Sequence, residues 1–434
     1  MNRVTRREFL KTTVVAAGGL VVPHVLPFSI WAAETPPSEK IRVGVIGCGI
    51  MGDRLRRIFQ GLTDSTVVAV CDVNPEVRTR VAAQMPGVKT YADFRELLRQ
   101  PDLDAVAIGT VHHMHALPAI AAARAGKHNY CEKPLTHTIK ESRAVLDAVK
   151  KAKVVLQVGT HRRADPANRL GAELVRNRKL GRIKSIRVGL RPGLTQEARP
   201  GAPAPPMPVP EGFAWDLWLG PAPFVEFCDV WQKRKWNQFS DYSTGEITLT
   251  DCHILDWLLW AAGDQLPGPI EIEGKTAPEP GVAYRVSFQH ANGIPVVVEG
   301  TPQEPLSAGV KIDAEHGTLF MDVLRYKLIT TPDTLPTTKF GPTDVRLPVV
   351  NWGSNEWWAC CEDFIRAVKT RREPLCPVEG GHAMTILSNL VWIAARLGRK
   401  LKWDHTKEQF VGDDEANGLL HYEYRKPWTL DPSP

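Results

Sequence analysis

Three residue groups in this 434-residue chain have types and spacings suited to chemistry. The first is Gly47-Cys48-Gly49-Ile50-Met51-Gly52, a G-x-G-x-x-G run. Glycines at that spacing let the backbone close on a diphosphate, and a helix opening through Ile50 and Met51 aims free N–H groups and partial positive charge at it. The second is Asp72, 20 residues beyond Gly52, where a carboxylate can accept hydrogen bonds from ribose hydroxyls and repel a 2′-phosphate. The pair predicts NAD rather than NADP, with Arg78 as the neighbour able to receive a phosphate. The third is Cys131-Glu132-Lys133-Pro134. A lysine there can donate to a hydroxyl or carbonyl oxygen and stabilise charge while a hydride leaves.

These groups need elements that bring them to one place. Strand-like runs at 41–46, 66–71, 105–109, 128–131 and 154–158 alternate with helical patterns at 75–84, 91–99, 116–125 and 139–152. That rhythm predicts a Rossmann-type α/β domain, a doubly wound parallel sheet, over 40–160. Ligands bind at the carboxyl ends of such strands, so Lys133 is expected in the same crevice as the glycine loop. Residues 161–434 change rhythm. Period-two runs at 183–190, 270–274, 283–289, 295–300, 308–314 and 318–322, with turn pairs Asn292-Gly293 and His316-Gly317, predict a mixed or antiparallel sheet. Helical patterns at 355–369 and 381–396 flank it, giving an α+β second domain, and the Pro/Gly-rich stretch 192–212 reads as an extended surface arm.

Composition narrows the classes. With 43% hydrophobic and 24% charged residues the chain is globular rather than disordered. Its formal charge of +6 is half accounted for by residues 1–33, where Arg3, Arg6, Arg7 and Lys11 face Glu8. No dense basic stripe interleaved with aromatics appears, which excludes a nucleic-acid footprint. The eight cysteines contain no C-x-x-C pair, so neither a zinc site nor a disulfide framework is expected. His112, His113 and His115 raise a metal site, but no clustered carboxylate or cysteine completes it, and no metal is predicted. Thr5-Arg6-Arg7-Glu8-Phe9-Leu10-Lys11, ahead of an apolar run shorter than the roughly 20 residues of a membrane span, predicts a twin-arginine export signal and a periplasmic location. Because Trp31 stands where a cleavage site needs a small residue, retention as an anchor is also open.

The glycine loop, Asp72, Thr110 with His112, His113 and His115, and Glu132-Lys133-Pro134 together resemble the Gfo/Idh/MocA oxidoreductases. The resemblance continues through Gln157–Arg163 to the tail around 397–399, 410–413 and 424–428. It implies a Rossmann domain holding NAD(P), a facing sheet domain that pairs copies into a homo-oligomer, and redox chemistry on sugars or cyclitols. Carried over residue by residue, it implies cofactor contacts at Gly47, Gly49, Ile50, Met51, Gly52, Asp72, Thr110, His113, His115, Glu132 and Lys133, with Lys133 and His253 catalytic. The family's Asp four residues before that His falls here on Leu249. Asp256, three residues beyond His253, is expected to take its place on the same helical face. Arg162, Arg163, Asp251 and Trp236 are expected at the substrate. The function implied is an exported NAD(P)-dependent oxidoreductase of sugars, sugar acids or cyclitols that carries its cofactor tightly bound. Two alternatives stand beside it: an NAD-dependent glycoside hydrolase or lyase working by transient sugar oxidation, and a sugar-binding protein without turnover.

Overall fold

The computed structural model describes residues 39–195, 204–232, 235–279, 281–301, 308–335, 339–350 and 355–431; the twin-arginine segment lies outside them. Six strands build the first sheet: β1 (Ile41–Ile46), β2 (Ser65–Cys71), β3 (Lys89–Tyr91), β4 (Ala105–Ile108), β5 (His128–Cys131) and β6 (Leu156–Val158). All pair in parallel, in the order β3-β2-β1-β4-β5-β6. Strand β4 is wholly buried because helices cover both faces, which is why it reads as four consecutive apolar residues without alternation. The order reverses between β1 and β4, and that reversal opens a crevice at their carboxyl ends. Strand β3, three residues long, is too short to show a periodic signal and was not expected from sequence.

The crossovers are α1 (Ile50–Gly61), α2 (Pro75–Gln84), α3 (Phe94–Leu98), α4 (Ala116–Arg124) and α5 (Ile139–Ala152). Their starts are written locally. The Asn74 side chain accepts from Glu76 N ahead of Pro75 in the first turn of α2, and Thr138 forms a reciprocal capping box with Glu141 on α5. Helix α6 (Pro166–Arg176) then starts on Asp165, whose side chain accepts from Asn168 N, and the short α7 (Trp215–Leu219) follows.

The second sheet contains β7 (Ile183–Leu190), β8 (Pro269–Glu279), β9 (Val282–His290), β10 (Pro295–Gly300), β11 (Gly309–Ala314), β12 (Gly317–Asp322), β13 (Lys327–Thr331), β14 (Lys400–Asp404) and β15 (Gln409–Phe410). Its order is β13-β12-β11-β7-β10-β9-β8-β14-β15, antiparallel throughout except for the β7–β10 pair. Alternation sorts its faces. Ile186, Val188, Val286, Val298 and Ile312 pack inward with Ile254 and Trp257 of α8 (Cys252–Ala262), while Arg187, Ser287, Val297 and Phe320 face away.

The Rossmann layer also takes a cover from beyond residue 160. Helix α9 (Glu356–Thr370), far down the chain, packs Ala359, Cys360 and Phe364 against Val43, Val45 and Tyr130 of the first sheet. Phe59, Tyr130 and Phe364 form an edge-on aromatic triangle with centroids 5.6–6.0 Å apart. One cover of the Rossmann layer therefore comes from the C-terminal third. The last long helix, α10 (Val378–Leu397), packs on α5, α8 and β8. Residues 192–195 and 204–212, the described parts of the Pro/Gly-rich stretch, carry neither helix nor strand.

Candidate active site

A cavity of about 840 Å³ opens at the carboxyl ends of β1, β2, β4 and β5. Gly47 turns the chain at φ +80°, and a Cβ there would meet the backbone of Gly109 and Thr110 at 2.8–2.9 Å. At Gly52 a Cβ would lie 1.5 Å from the Gly47 carbonyl oxygen, so this glycine lets α1 seat on the turn and does not line the cavity. Gly49 differs. A Cβ there meets nothing within 4 Å, and the N-terminus of α1 that it opens has no side-chain cap. Free room beside uncapped helix N–H groups fits a diphosphate.

Asp72 lies at the end of β2, in the same cavity. Burial raises its pKa, while N–H donation from Asn74 (2.9 Å) and Cys48 (2.7 Å) pulls the other way. Its two oxygens keep further lone pairs for ribose hydroxyls. Arg78 donates to the Asp72 main-chain oxygen at 2.7 Å and does not line the cavity. The residues present fit NAD.

The loop after β4 sends its histidines different ways. Thr110, His112 and His115 line the cavity; His113 does not, which corrects its expected role as a cofactor contact. His113 is fully buried with Nε2 3.1 Å from the Trp218 carbonyl and its ring 4.9 Å from Tyr242. His115 stands between two loops, with Nδ1 2.7 Å from the Pro134 carbonyl and Nε2 3.2 Å from that of Thr110, and the single N–H of its neutral ring can donate to one of them. Burial drives His113 down to about 3 and His115 to about 4, so both are neutral. His112 sits 3.1 Å from Ser243 Oγ, with Trp236 edge-on at 4.8 Å. No group of potential ligands able to hold a metal occurs among the described residues.

At the end of β5, Lys133 lines the cavity and its Nζ donates to the main-chain oxygen of Leu249. Glu132 beside it is buried, its Oε1 has no hydrogen-bond partner among the described residues, and burial lifts its pKa to about 7. His253, in the first turn of α8, lines the same wall. Burial, then the neighbouring His161 and Lys133, hold it well below the ordinary histidine value. The His161 ring meets it edge-on at 4.6 Å and stacks on Trp357 at 3.7 Å on its other side. Arg162 completes this end, its guanidinium 4.6 Å over the Tyr326 ring.

Three further expected site residues, besides Gly52 and His113, are absent from the cavity wall. Asp256 gives both oxygens to Arg163, at 2.7 Å and 2.9 Å, and Arg163 also donates to the Leu375 carbonyl at 3.1 Å. Both side chains are almost fully buried, so neither takes the catalytic or substrate role expected of it. Helical spacing correctly relates Asp256 to His253; it carries no information about a competing arginine 93 residues earlier. Asp251 is buried with Oδ2 accepting from Arg191 N at 2.7 Å, and it makes no cap to α8. Burial raises its pKa to about 7. Conversely, Trp357 and Trp428 line the cavity unanticipated, because no local pattern marks a residue that reaches the site from a distant segment, and Arg54, two residues past Gly52, lines it as well. Trp236, expected at the substrate, lines the cavity with Trp218 and Trp231, and Trp215 backs them at 4.8 Å from Trp218.

A Rossmann sheet with a glycine loop and acidic strand end, facing an open mixed sheet across a lysine–histidine wall, defines a two-domain dinucleotide-binding oxidoreductase architecture. Residues 41–160 match the family model described as "Oxidoreductase family, NAD-binding Rossmann fold", and residues 199–430 match "Oxidoreductase family, C-terminal alpha/beta domain". The chain belongs to the Gfo/Idh/MocA oxidoreductase family, and its first domain is a NAD-binding Rossmann domain.

It is similar to the levoglucosan dehydrogenase of Pseudarthrobacter phenanthrenivorans, 35% identical over 157 residues, or 34% of this chain and 40% of that one. The myo-inositol 2-dehydrogenase of Thermotoga maritima is 34% identical over 152 residues, 35% of this chain and 45% of the relative. The chain thus spans less than half the length of these curated relatives. Among solved structures, the WlbA dehydrogenase from Bordetella pertussis in complex with NADH and UDP-GlcNAcA superposes with a TM-score of 0.60 at 18% identity, over 84% of this chain and 99% of the other. Levoglucosan dehydrogenase in complex with NADH and levoglucosan gives 0.58 at 20% identity with the same coverages. At such identities these likenesses show the fold.

Proposed function

We propose that this chain is an NAD-dependent oxidoreductase moving a hydride between the nicotinamide and a secondary alcohol or ketone of a sugar, sugar acid or cyclitol. The observation that carries the reading is one continuous cavity lined by the glycine loop and Asp72 as well as by Lys133 and His253. The relatives named for levoglucosan and myo-inositol support the substrate class.

When bound, NAD supplies the hydride-accepting carbon. Lys133 holds the reacting oxygen: with one N–H given to Leu249, two remain for the substrate. His253 is the group placed to accept the hydroxyl proton: burial keeps its ring neutral, which leaves a nitrogen lone pair free, and His161 packed between it and Trp357 limits how it can turn. Trp218, Trp231 and Trp236 line the cavity with aromatic surface against which a sugar ring can pack and from which water is excluded.

In this reading residues 1–33 are a twin-arginine signal, cleaved or kept as an anchor, and the folded chain reaches the periplasm with NAD already bound. The outward face of the second sheet, where Ile329, 45% exposed, pairs across strands with Phe320, supports a homo-oligomer formed through it.

The test is NADH formation by the purified chain on a panel of cyclitols, free sugars and uronates, run beside aryl glycosides without added NAD. Turnover of at least one free polyol is expected; glycoside cleavage alone would move the chain to the hydrolase or lyase class. Size-exclusion with light scattering reads the oligomer, and cell fractionation of an Arg6→Lys, Arg7→Lys variant reads export.

A further inference from the structure

Beside Asp72, the cavity is also lined by Val73, Asn74, Asp93, Phe94 and Pro118, together with Trp428 from the C-terminal tail. A dinucleotide with its diphosphate at Gly49 and its ribose at Asp72 sends its adenine there. Trp428 belongs to this end by connection as well as by lining. The Arg95 guanidinium lies 5.4 Å over its ring and binds Asp93, and Asp72 N donates to Tyr91 O at 3.0 Å just before that segment.

The backbone of Trp428 is clamped. Trp428 N donates to Arg425 O at 2.9 Å, and Arg425 is fastened to the 216–222 segment, donating to Asp216 Oδ1 (2.6 Å), Gly220 O (2.9 Å) and Ala222 O (3.2 Å), while its own N–H reaches Pro221 O (2.9 Å). That segment carries Leu217 and Trp218, which also line the cavity. Upstream, the Tyr424 hydroxyl donates to Glu141 Oε1 at 2.6 Å, pinning the tail to α5.

We propose that the tail segment 424–428 is a strap across the adenine end of the cofactor cavity, with Trp428 as its aromatic wall and Arg425 as its clasp, and that it slows NAD release. The proposal rests on the NAD-binding reading of the cavity and on no assumption about substrate. It supplies the physical means by which the cofactor stays bound through export.

The test uses the full chain after charcoal treatment, with NADH, AMP and nicotinamide mononucleotide as separate probes. In Trp428→Ala, NADH dissociation measured by stopped-flow fluorescence is expected to speed up about five-fold or more, with a similar loss of AMP affinity, the scale of a lost base–aromatic contact. Nicotinamide mononucleotide affinity stays at the parent value. Trp428→Phe falls between, and Arg425→Ala, which keeps the ring but opens the clasp, also releases NADH faster. Release at the parent rate from both Trp428→Phe and Arg425→Ala overturns the strap, as does equal weakening of AMP and nicotinamide mononucleotide in Trp428→Ala. A parent chain that binds none of the three probes overturns the dinucleotide reading itself, a result distinct from unchanged release.

Discussion

Lys133 Nζ donates to the main-chain carbonyl of Leu249, the residue four positions before His253. A carbonyl orients the ammonium without adding a negative charge beside the reacting centre and without taking part in proton transfer. Replacing the side chain of Leu249 leaves that tether in place, whereas replacing Lys133 removes the donor. Lys133→Met is expected to lower kcat/KM about 10²- to 10⁴-fold, the usual contribution of a positioned proton-handling group. Leu249→Ala should stay within about ten-fold of the parent. Steady-state kinetics on whichever polyol the parent turns over decides it, and equal losses in the two variants would count against the tether.

The two glycines at Gly49 and Gly52 should fail in different ways. Gly49→Ala puts a methyl into open space where the diphosphate would lie, so Tm is expected to stay within about 2 °C while NADH affinity drops at least about ten-fold. Gly52→Ala drives a methyl to 1.5 Å from the Gly47 oxygen, so the loop or helix must move and Tm falls with binding. Thermal melts alongside NADH titration separate a blocked site from a broken one.

Arg163 and Asp256 form a buried ion pair, and removing one partner strands the other's charge. Asp256→Ala and Arg163→Ala are each expected to destabilise the chain by about 3–5 kcal/mol. The double variant should lose less than the sum of the singles. Urea denaturation of all three measures the coupling. Additive losses would show that the pair does not act as a unit.

Burial raises the Glu132 carboxyl from 4.5 to about 7. Between those values the native chain holds a proton that the unfolded chain has released, so stability contributed by this group falls as pH rises through the window. Glu132→Gln abolishes that slope. Relative to the parent, the variant is expected to gain stability from pH 5 to pH 8, approaching about 3 kcal/mol. The buried neutral His113 and His115 work in the opposite sense, since the unfolded chain protonates them near 6.5 and the native chain at about 3 and 4, so stability is lost as pH falls below 6.5. Urea midpoints at pH 5, 6.5 and 8 check both slopes, and a pH-independent difference for Glu132→Gln would refute the first.

Much of the first domain was legible because its signals are local. The glycine spacing, the strand-to-Asp72 interval and the alternation of apolar strands with capped helices all act within a few turns of chain, and β1, β5, α2 and α5 have the boundaries that their patterns predict. The strand rhythm of the second sheet was legible for the same reason; strands β7 and β10 match residue for residue.

Only the tertiary structure decided which charged groups reach the cavity. Arg162 and Arg163 are neighbours in one tight turn, yet one lines the site and the other is buried on Asp256. Spacing within α8 brings Asp256 near His253 and is silent about an arginine 93 positions away. The cover that α9 provides for the Rossmann sheet, the Leu249 carbonyl that receives Lys133, and the Trp428 wall likewise join segments more than a hundred residues apart. Such pairings are chosen by packing and burial. A buried charge must find a partner, an uncovered sheet face must find a helix, and the nearest one in space is set by the whole fold rather than by any interval along the chain.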